Sequence, residues 1–337
     1  MRQDVVLGLS GGVDSAVAAH LLQKAGYAVH GLYLETGQPG GTEAAREAAE
    51  NLGIPLTVRD VRPVLEKEVC APFAAAYLAG QTPSPCVLCN PAVKFRALLE
   101  AAEALGSGAK LATGHYAAVR DGALWRGRPA NDQSYMLCRL KPEQVRRLVL
   151  PLGPYEKGEV RALARELGLA AAGKPDSMEI CFIPDGDYAA WLERRCPCPP
   201  PGDFLRPDGT VLGRHKGLHH YTVGQRRGLG VAVGARLYVT ALDAGRNAVI
   251  LGEESALWKN AARTGPVNWL LDPPPAGPFQ AFVKVRHSKG VTPAQVIPEG
   301  EGLRLEFDHP VRAPVPGQAA AGYDGEGRLL FGAFLVP

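Results

Sequence analysis

Short apolar runs alternate with amphipathic stretches over the first third of the chain. Residues 4–9 carry an apolar run from Val5 to Leu9 suited to a strand buried on both faces, residues 13–25 repeat apolar positions at helical spacing until Gly26, and residues 28–34, mostly apolar, read as a second strand. That is a βαβ unit. The alternation continues through a helix over 42–52 with Gly53 after it, a strand over 54–59, helices near 64–79 and 91–105, and a strand at 110–113. Repetition of this kind predicts an α/β domain built on a parallel sheet with helices on both faces, whose ligands bind beyond the carboxyl ends of the strands.

One more amphipathic helix is expected over 156–167, followed by a loop over 173–177 and an apolar run over 180–183. The texture then changes. Cys196-Pro197-Cys198-Pro199-Pro200-Pro201-Gly202 is a turn-rich linker, after which β-like runs at 237–242 and 248–251 replace helical periodicity. A second break near 262–266 precedes runs at 281–286, 303–307 and 329–335, which read as strands of a small barrel or sandwich. The expected divisions are an α/β domain over 1–195, a small mostly β central domain over 196–262 and a C-terminal β-barrel-like domain over 263–337.

Composition agrees with this division and narrows the function classes. A chain of 337 residues is too long for one ordinary core. Its 46% hydrophobic and 21% charged residues form a globular balance, and no apolar run is long enough to span a bilayer. The first residues lead directly into an apolar run without a cleavage pattern, so a cytoplasmic protein with no membrane partner is expected. Seven cysteines in such a chain read as thiols, metal ligands or redox groups rather than a disulfide framework. The net charge of +3 permits nucleic-acid binding without demanding it.

The first candidate for chemistry is Ser10-Gly11-Gly12-Val13-Asp14-Ser15, between a predicted strand and helix. Small residues there let backbone N–H groups close around phosphate oxygens, and the helix start favours their charge. The same glycines would also serve a bare strand-to-helix turn, but the full hexapeptide is more specific than a glycine pair. No Gly-Lys-Ser/Thr follows, so this is not the loop of a γ-phosphate-hydrolysing ATPase. It resembles the loop of the ATP-pyrophosphatase superfamily, whose members adenylate their substrates.

Thr82-Pro83-Ser84-Pro85-Cys86-Val87-Leu88-Cys89-Asn90 sets two cysteines three residues apart in a proline-stiffened loop before a helix. Helix-start amides and neighbouring Lys94 and Arg96 are expected to favour their thiolates. Cys181 follows in Asp176-Ser177-Met178-Glu179-Ile180-Cys181-Phe182-Ile183. Cys70 and Cys138, in apolar surroundings, read as packing residues, and Cys196 and Cys198 are two ligands without a set. Arg214, His215, Lys216, His219, His220, Arg226 and Arg227 gather basic groups suited to phosphate contact, or form a solvated basic loop.

The hexapeptide, the Cys-x-x-Cys segment, Ala112-Thr113-Gly114-His115-Tyr116, Asn131-Asp132-Gln133-Ser134-Tyr135 and residues 176–183 stand in the order seen in one family. They are followed by Gly217-Leu218-His219-His220-Tyr221-Thr222-Val223-Gly224-Gln225-Arg226-Arg227-Gly228-Leu229-Gly230, Val285-Arg286-His287 and Pro316-Gly317-Gln318. Over nearly its whole length the chain resembles the bacterial tRNA-specific 2-thiouridylases of the ATP-pyrophosphatase superfamily. The resemblance implies ATP-dependent adenylation of the position-2 carbonyl of the wobble uridine, position 34, then sulfur transfer to give 2-thiouridine with release of AMP and diphosphate. ATP would contact Gly8, Leu9, Ser10, Gly11, Gly12, Val13, Asp14, Ser15, Leu34 and Gly114, with Mg2+ neutralising its phosphates.

Family members carry persulfide sulfur on the cysteine matching Cys181 and use the one matching Cys89 to release it, leaving a disulfide to be reduced. Ser84, Pro85 and Cys86 would meet the target base, and His115, Asn131, Asp132, Gln133, Arg286, His287 and Gln318 would touch tRNA. A Lys is usual where this chain has Asn131. Cys86 departs from the commoner pattern, in which an Asp stands there, so Cys86, Cys89 and Cys181 could instead be three ligands to a 4Fe-4S cluster. A zinc site would accept the same thiols but offers no way of delivering sulfur. The implied partners are tRNAs for Lys, Glu and Gln and a cysteine desulfurase or sulfur-relay protein. The competing readings are a small-molecule adenylating ligase of the same superfamily, which would not need Cys89 and Cys181, and a catalytically inactive tRNA-binding protein, which would not need the intact hexapeptide.

Overall fold

The computed structural model describes residues 2–106, 108–173, 180–231, 236–287 and 290–337; most of the expected 173–177 loop, and Asp176, Ser177, Met178 and Glu179 of the third cysteine motif, lie outside them. Strand and helix alternate as the apolar pattern predicts through β1 (Asp4–Gly8), α1 (Val13–Lys24), β2 (Ala28–Glu35), α2 (Gly41–Leu52) and β3 (Leu56–Asp60). Asp14 in the first turn of α1 and Lys24 in its last complement the helix dipole, and Gly26 ends it at a φ of +88°. The stretch expected as a helix over 64–79 is α3 (Arg62–Leu65), a π-helical segment (Glu66–Cys70) and α4 (Ala71–Leu78).

The next helix starts earlier than the expected residue 91. α5 (Pro85–Cys89) and a π-helical segment (Asn90–Lys94) lead into α6 (Phe95–Leu105), so the two cysteines lie on the helix rather than in a loop before it. Pro91 accounts for the widened turn: it has no N–H to donate and its ring would clash with the carbonyl four residues back in α geometry. The chain continues through β4 (Lys110–Ala112), a hairpin of β5 (Ala117–Arg120) and β6 (Ala123–Arg126), α7 (Pro142–Arg146), β7 (Leu148–Val149), α8 (Lys157–Glu166) and α9 (Tyr188–Glu193).

Five strands form a parallel sheet in the order β3-β2-β1-β4-β7. Because side chains alternate along a strand, β1 feeds two cores at once. Val5, Leu7 and Leu9 pack with Val17 and Leu22 of α1 and Val160 of α8, whereas Val6 joins Phe73, Phe95 and Leu98 on the other face.

Beyond the linker, β8 (Gly202–Leu205), β9 (Val211–His215), β10 (Tyr238–Asp243) and β11 (Ala248–Gly252) form a four-stranded sheet in the order β10-β11-β8-β9 around Phe204, Leu218, Val239 and Leu251. The last part runs through β12 (Trp258–Thr264), β13 (Asn268–Trp269), β14 (Phe279–Lys284), β15 (Thr292–Glu299), β16 (Gly302–Arg312), β17 (Ala319–Tyr323) and β18 (Leu329–Val336). Six strands, in the order β12-β16-β15-β14-β17-β18, close into a barrel because β12 also pairs with β18. The expected break between 262 and 263 falls inside β12, whose pairing with β16 starts at Trp258, so the barrel sheet begins there.

The barrel is seated on the α/β part. Tyr135 donates its hydroxyl to the carbonyl of Ala319 at 2.9 Å and accepts the Ala319 N–H at 3.2 Å. Ser134 and Tyr323 share a hydroxyl hydrogen bond of 3.0 Å, and Asn268 donates to the carbonyls of Cys138 and Leu140. A Cβ on Gly332 would lie 2.2 Å from the Cys138 carbonyl oxygen, so only glycine lets β18 approach this closely. Beneath the seam, Lys284 of the barrel lies 3.8 Å from Asp132, both side chains 2% exposed. No helix among the described residues is long and apolar enough to cross a membrane.

The buried Lys284–Asp132 pair yields a stability prediction. Lys284→Met leaves the Asp132 carboxylate facing Arg126 alone and is expected to cost about 3 kcal/mol, as breaking a buried ion pair does. The double substitution Lys284→Met/Asp132→Asn should recover part of the loss. Denaturant titration measures both, and an unchanged midpoint in the single variant would show that the pair does not hold the seam.

Candidate functional site

The chain order of the parallel sheet reverses at β1, whose neighbours β2 and β4 lead away in opposite directions. Their carboxyl ends therefore open a crevice. A cavity of about 410 Å3 fills it, in the size range of small-molecule sites. β1 and the turn after it bring Gly8, Leu9 and Ser10 to its wall, α1 brings Asp14 and Ser15, the end of β2 brings Leu34, and the segment after β4 brings Gly114 and His115. Gly11, Gly12 and Val13 form the bend behind that wall. Ser15 closes the bend by donating its hydroxyl to the Gly12 carbonyl at 3.0 Å and accepting the Ser10 N–H at 3.2 Å.

Two glycines permit this packing. Gly11 has a φ of +75°, and a Cβ there would stand 2.5 Å from the backbone of Ala44; on Gly114 it would stand 2.9 Å from the backbone of Asp14. The Asp14 carboxylate is held from two sides, by the Tyr116 hydroxyl at 2.8 Å and the Lys157 ammonium at 2.6 Å. It is the only carboxylate among the described lining residues. Sequence reading missed Lys157, which starts α8 and carries no local signal of its partner 143 residues away. It missed Tyr116 as well, although that residue closes a motif already noticed.

Pro85, Cys86 and Cys89 reach the same cavity from α5, and Cys181 lines it as well. Asn90, buried beside Cys89, fixes this turn by donating to the Met136 carbonyl at 2.8 Å; a polar residue between Cys89 and Pro91 in an apolar run was the available signal. Gln38 donates to the Cys181 carbonyl at 2.7 Å.

Cys89 and Cys181 favour the thiol form. Cys89 lies at the end of α5, away from its first amides, and burial pushes its thiol up to about 12, against the opposing pull of Lys94. Burial raises Cys181 as well, again with Lys94 opposing. Lys94 is the sole Lys or Arg among the described lining residues, so one ammonium serves both thiols. Cys70 and Cys138 are buried, as packing residues should be.

The remaining expected residues divide. His115 and Gln133 line the cavity. The His115 ring, bonded through Nδ1 to the Thr113 hydroxyl at 2.7 Å, is held well below its ordinary pKa by burial and then by Lys94, so it is neutral at pH 7. Asp132 turns inward: its Oδ1 accepts the N–H groups of Gly127 and Ser134, and its Oδ2 faces Arg126 and Lys284. It shapes the turn instead of offering a surface to an anion. Gln318 also points inward, donating to the Thr82 carbonyl at 2.9 Å and so strapping the segment before α5 to the barrel.

Ser84 precedes α5, Asn131 and Arg286 are half-buried and His287 is exposed; these four, like Asp132 and Gln318, lie outside the lining set. The basic segment is less open than its composition suggested. His215 and His219 are buried and bonded to the Asn247 carbonyl and to Glu193, and Arg214 pairs with Asp203. Lys216, Arg226 and Arg227 remain exposed.

Three family models match successive segments: the tRNA methyl transferase HUP domain over residues 3–185, the tRNA methyl transferase PRC-barrel domain over 190–253 and the aminomethyltransferase beta-barrel domain over 259–334. The tRNA-specific 2-thiouridylase MnmA of Heliobacterium modesticaldum is 44% identical over 350 residues, covering 97% of this chain and 91% of that protein. Its counterpart in Chlorobium luteolum is 43% identical over 346 residues, covering 96% and 94%, and that of Clostridium acetobutylicum is 38% identical over 357 residues, covering 100% of each. The chain belongs to the tRNA-specific 2-thiouridylase family.

Membership in the tRNA-specific 2-thiouridylase family accounts for the order of parts, with the HUP match on the parallel sheet and the beta-barrel match starting at residue 259, one residue into β12. The thiols of this 2-thiouridylase-family chain then yield a chemical prediction. A rise from 9.0 to about 12 lowers the thiolate fraction of Cys89 near pH 8 by roughly a thousandfold. Alkylation by iodoacetamide, mapped by mass spectrometry, should therefore be slow at Cys89, rise through pH 10, and slow further in Lys94→Met. Reaction of Cys89 at the rate of a free thiol at pH 8 would show that burial does not govern it.

Proposed function

We propose that the protein uses ATP to adenylate the position-2 carbonyl oxygen of uridine 34 in tRNA and replaces that oxygen with sulfur, releasing diphosphate and then AMP. The observation that carries this reading is the meeting of the Ser10–Ser15 bend with Cys86, Cys89 and Cys181 in one cavity. An adenylating ligase for a small molecule would have no use for thiols facing its nucleotide, and a catalytically inactive binder would have no use for the cradle.

The proposed ATP contacts are Gly8, Leu9, Ser10, Gly11, Gly12, Val13, Asp14, Ser15, Leu34 and Gly114, with backbone amides and the start of α1 receiving the phosphates. Mg2+ would rest mainly on the phosphate oxygens, since Asp14 is already engaged by Tyr116 and Lys157. Uridine O2 attacks the α-phosphorus, the bond to diphosphate breaks, and the C2 oxygen becomes part of an AMP leaving group. Sulfur carried as a persulfide on Cys181 then adds to C2 and AMP departs with its electron pair. Attack of Cys89 sulfur on Cys181 sulfur forms a Cys89–Cys181 disulfide and leaves the transferred sulfur on the base. A thiol reductant restores the pair.

The second reading rests on Cys86. Cys86, Cys89 and Cys181 facing one cavity supply the three thiols that a 4Fe-4S cluster takes, and zinc held by the same set would offer no way of delivering sulfur. Bound there, such a cluster would supply an iron able to accept sulfide, and the three thiols would then hold it instead of exchanging sulfur among themselves.

The base would be drawn out of its stack to reach the cavity, past Ser84, Pro85 and Cys86, with His115 and Gln133 at the wall. Asn131, Arg286 and His287 would contact the RNA outside, whereas Asp132 and Gln318 would act by shaping the neighbouring backbone. The tRNAs would be those for Lys, Glu and Gln, the sulfur source a cysteine desulfurase or relay protein, and the compartment the cytoplasm. The working parts would be the divisions 1–195, 196–262 and 263–337, with the last boundary moved to the start of β12.

Incubation with unmodified tRNA, ATP, Mg2+ and a sulfur source, either a persulfide donor with a thiol reductant for the persulfide route or sulfide for the cluster route, followed by nucleoside digestion, should yield 2-thiouridine and one AMP per modified base. Cys181→Ser and Cys89→Ser should each lower the yield by at least about a thousandfold. No 2-thiouridine under either aerobic or anaerobic conditions would refute the assignment. Cys86→Asp separates the routes: retained activity in an iron-free protein selects the persulfide, and loss of both iron and activity selects the cluster.

A further inference from the structure

One cluster of ligand-type side chains lies apart from the cavity. Glu193 stands at the end of α9, and His219 and His220 stand together on the 3-10 turn Leu218–His220 that leads into the central sheet. Both imidazole Nε2 atoms lie 3.1 Å from Glu193 Oε1, and one ligand atom from each of the three residues falls within 4.8 Å of the others. The two rings are neighbours, with centroids 4.3 Å apart. His219 is 2% exposed and its Nδ1 is buried without a hydrogen-bond partner, so Nε2 is its only polar engagement.

Two N–H groups sharing one carboxylate oxygen make a modest arrangement for so buried a ring. A cation bonded to all three groups makes a stronger one. Ligand atoms on a tetrahedral ion with bonds of about 2.0 Å stand about 3.3 Å apart, close to the separations observed here. We propose that Glu193, His219 and His220 bind a divalent transition-metal ion of the zinc class, one per chain, with the fourth position left to water.

Glu193 and His220 keep side-chain exposures of 49% and 27%, which leaves the open position on the solvent side. An ion here would tie α9 to the turn beyond the 196–202 linker and fix the approach of the central sheet. It needs none of the cavity thiols.

The test uses the full chain, stripped of metal, with Cys86, Cys89 and Cys181 all replaced by Ser so that the cavity cannot compete. Titration with Zn2+ against a chromophoric chelator should give one tight site per chain. Co2+ should show visible bands of a low-coordinate nitrogen and oxygen site without a strong near-ultraviolet thiolate band. Glu193→Gln and His220→Gln, both at partly open positions, should each weaken Zn2+ binding at least about a hundredfold and abolish the rise in unfolding temperature that Zn2+ gives the parent. Absence of stoichiometric binding, a thiolate-type Co2+ spectrum, or affinity unchanged in both variants would overturn the proposal.

Discussion

The site depends on two backbones lying closer than side chains normally permit. Gly114, just past β4, meets the backbone of Asp14 in the first turn of α1, and Gly11 meets Ala44 at the start of α2. These contacts seat the start of α1 against the ends of β1 and β4, where the sheet changes direction. The bend from Ser10 to Ser15 then has one available shape, and Tyr116 and Lys157 hold the Asp14 carboxylate in it. A flexible phosphate loop would have to be ordered by each incoming ligand; here the ordering is part of folding.

Electrostatics follow from that geometry. A cavity that admits a polyanion is a poor place for free thiolates, because every added negative charge opposes the ligand. The surrounding wall raises the thiols of half-buried Cys89 and of Cys181, although Cys181 stays exposed, and Lys94 opposes the shift at both. For Cys89, at the end of α5, the surrounding wall outweighs position along the helix, which is why helix-start reasoning does not reach it.

The sequence made the parallel sheet plain because both faces of β1 and β2 are largely buried and the longer helices α1, α2, α4, α6 and α8 each end at a glycine of positive φ. It made the sulfur-bearing residues plain as a set but not their ionisation, since burial is a property of the assembled cavity. The β5–β6 hairpin went unread although Asp121-Gly122, with φ angles of 49° and 71°, is a strong local turn signal. β15 was hidden by Pro293 and Pro298 near its ends, and β17 by its three alanines, of which Ala319 and Ala321 press against the α/β part while Ala320 faces the barrel core. Lys157 and Gln318 illustrate a further limit: their partners are 143 and 236 residues away, and nothing in their immediate neighbours encodes the meeting.

The seating of β17 and β18 has a consequence for how such a protein can change over evolutionary time. Tyr135, Leu137 and Cys138 share a core with Ala319, Ala321 and Tyr323, so the barrel supplies part of the wall that the α/β part would otherwise lack. Gln318 and the Pro316 carbonyl additionally grip Thr82, three residues before Pro85 begins the cysteine helix. The barrel is therefore not an exchangeable module appended to a self-sufficient catalyst. A recombination event that replaced it would have to preserve a glycine at 332, small residues at 319 and 321 and the grip on Thr82, which favours inheritance of the whole chain as a single unit.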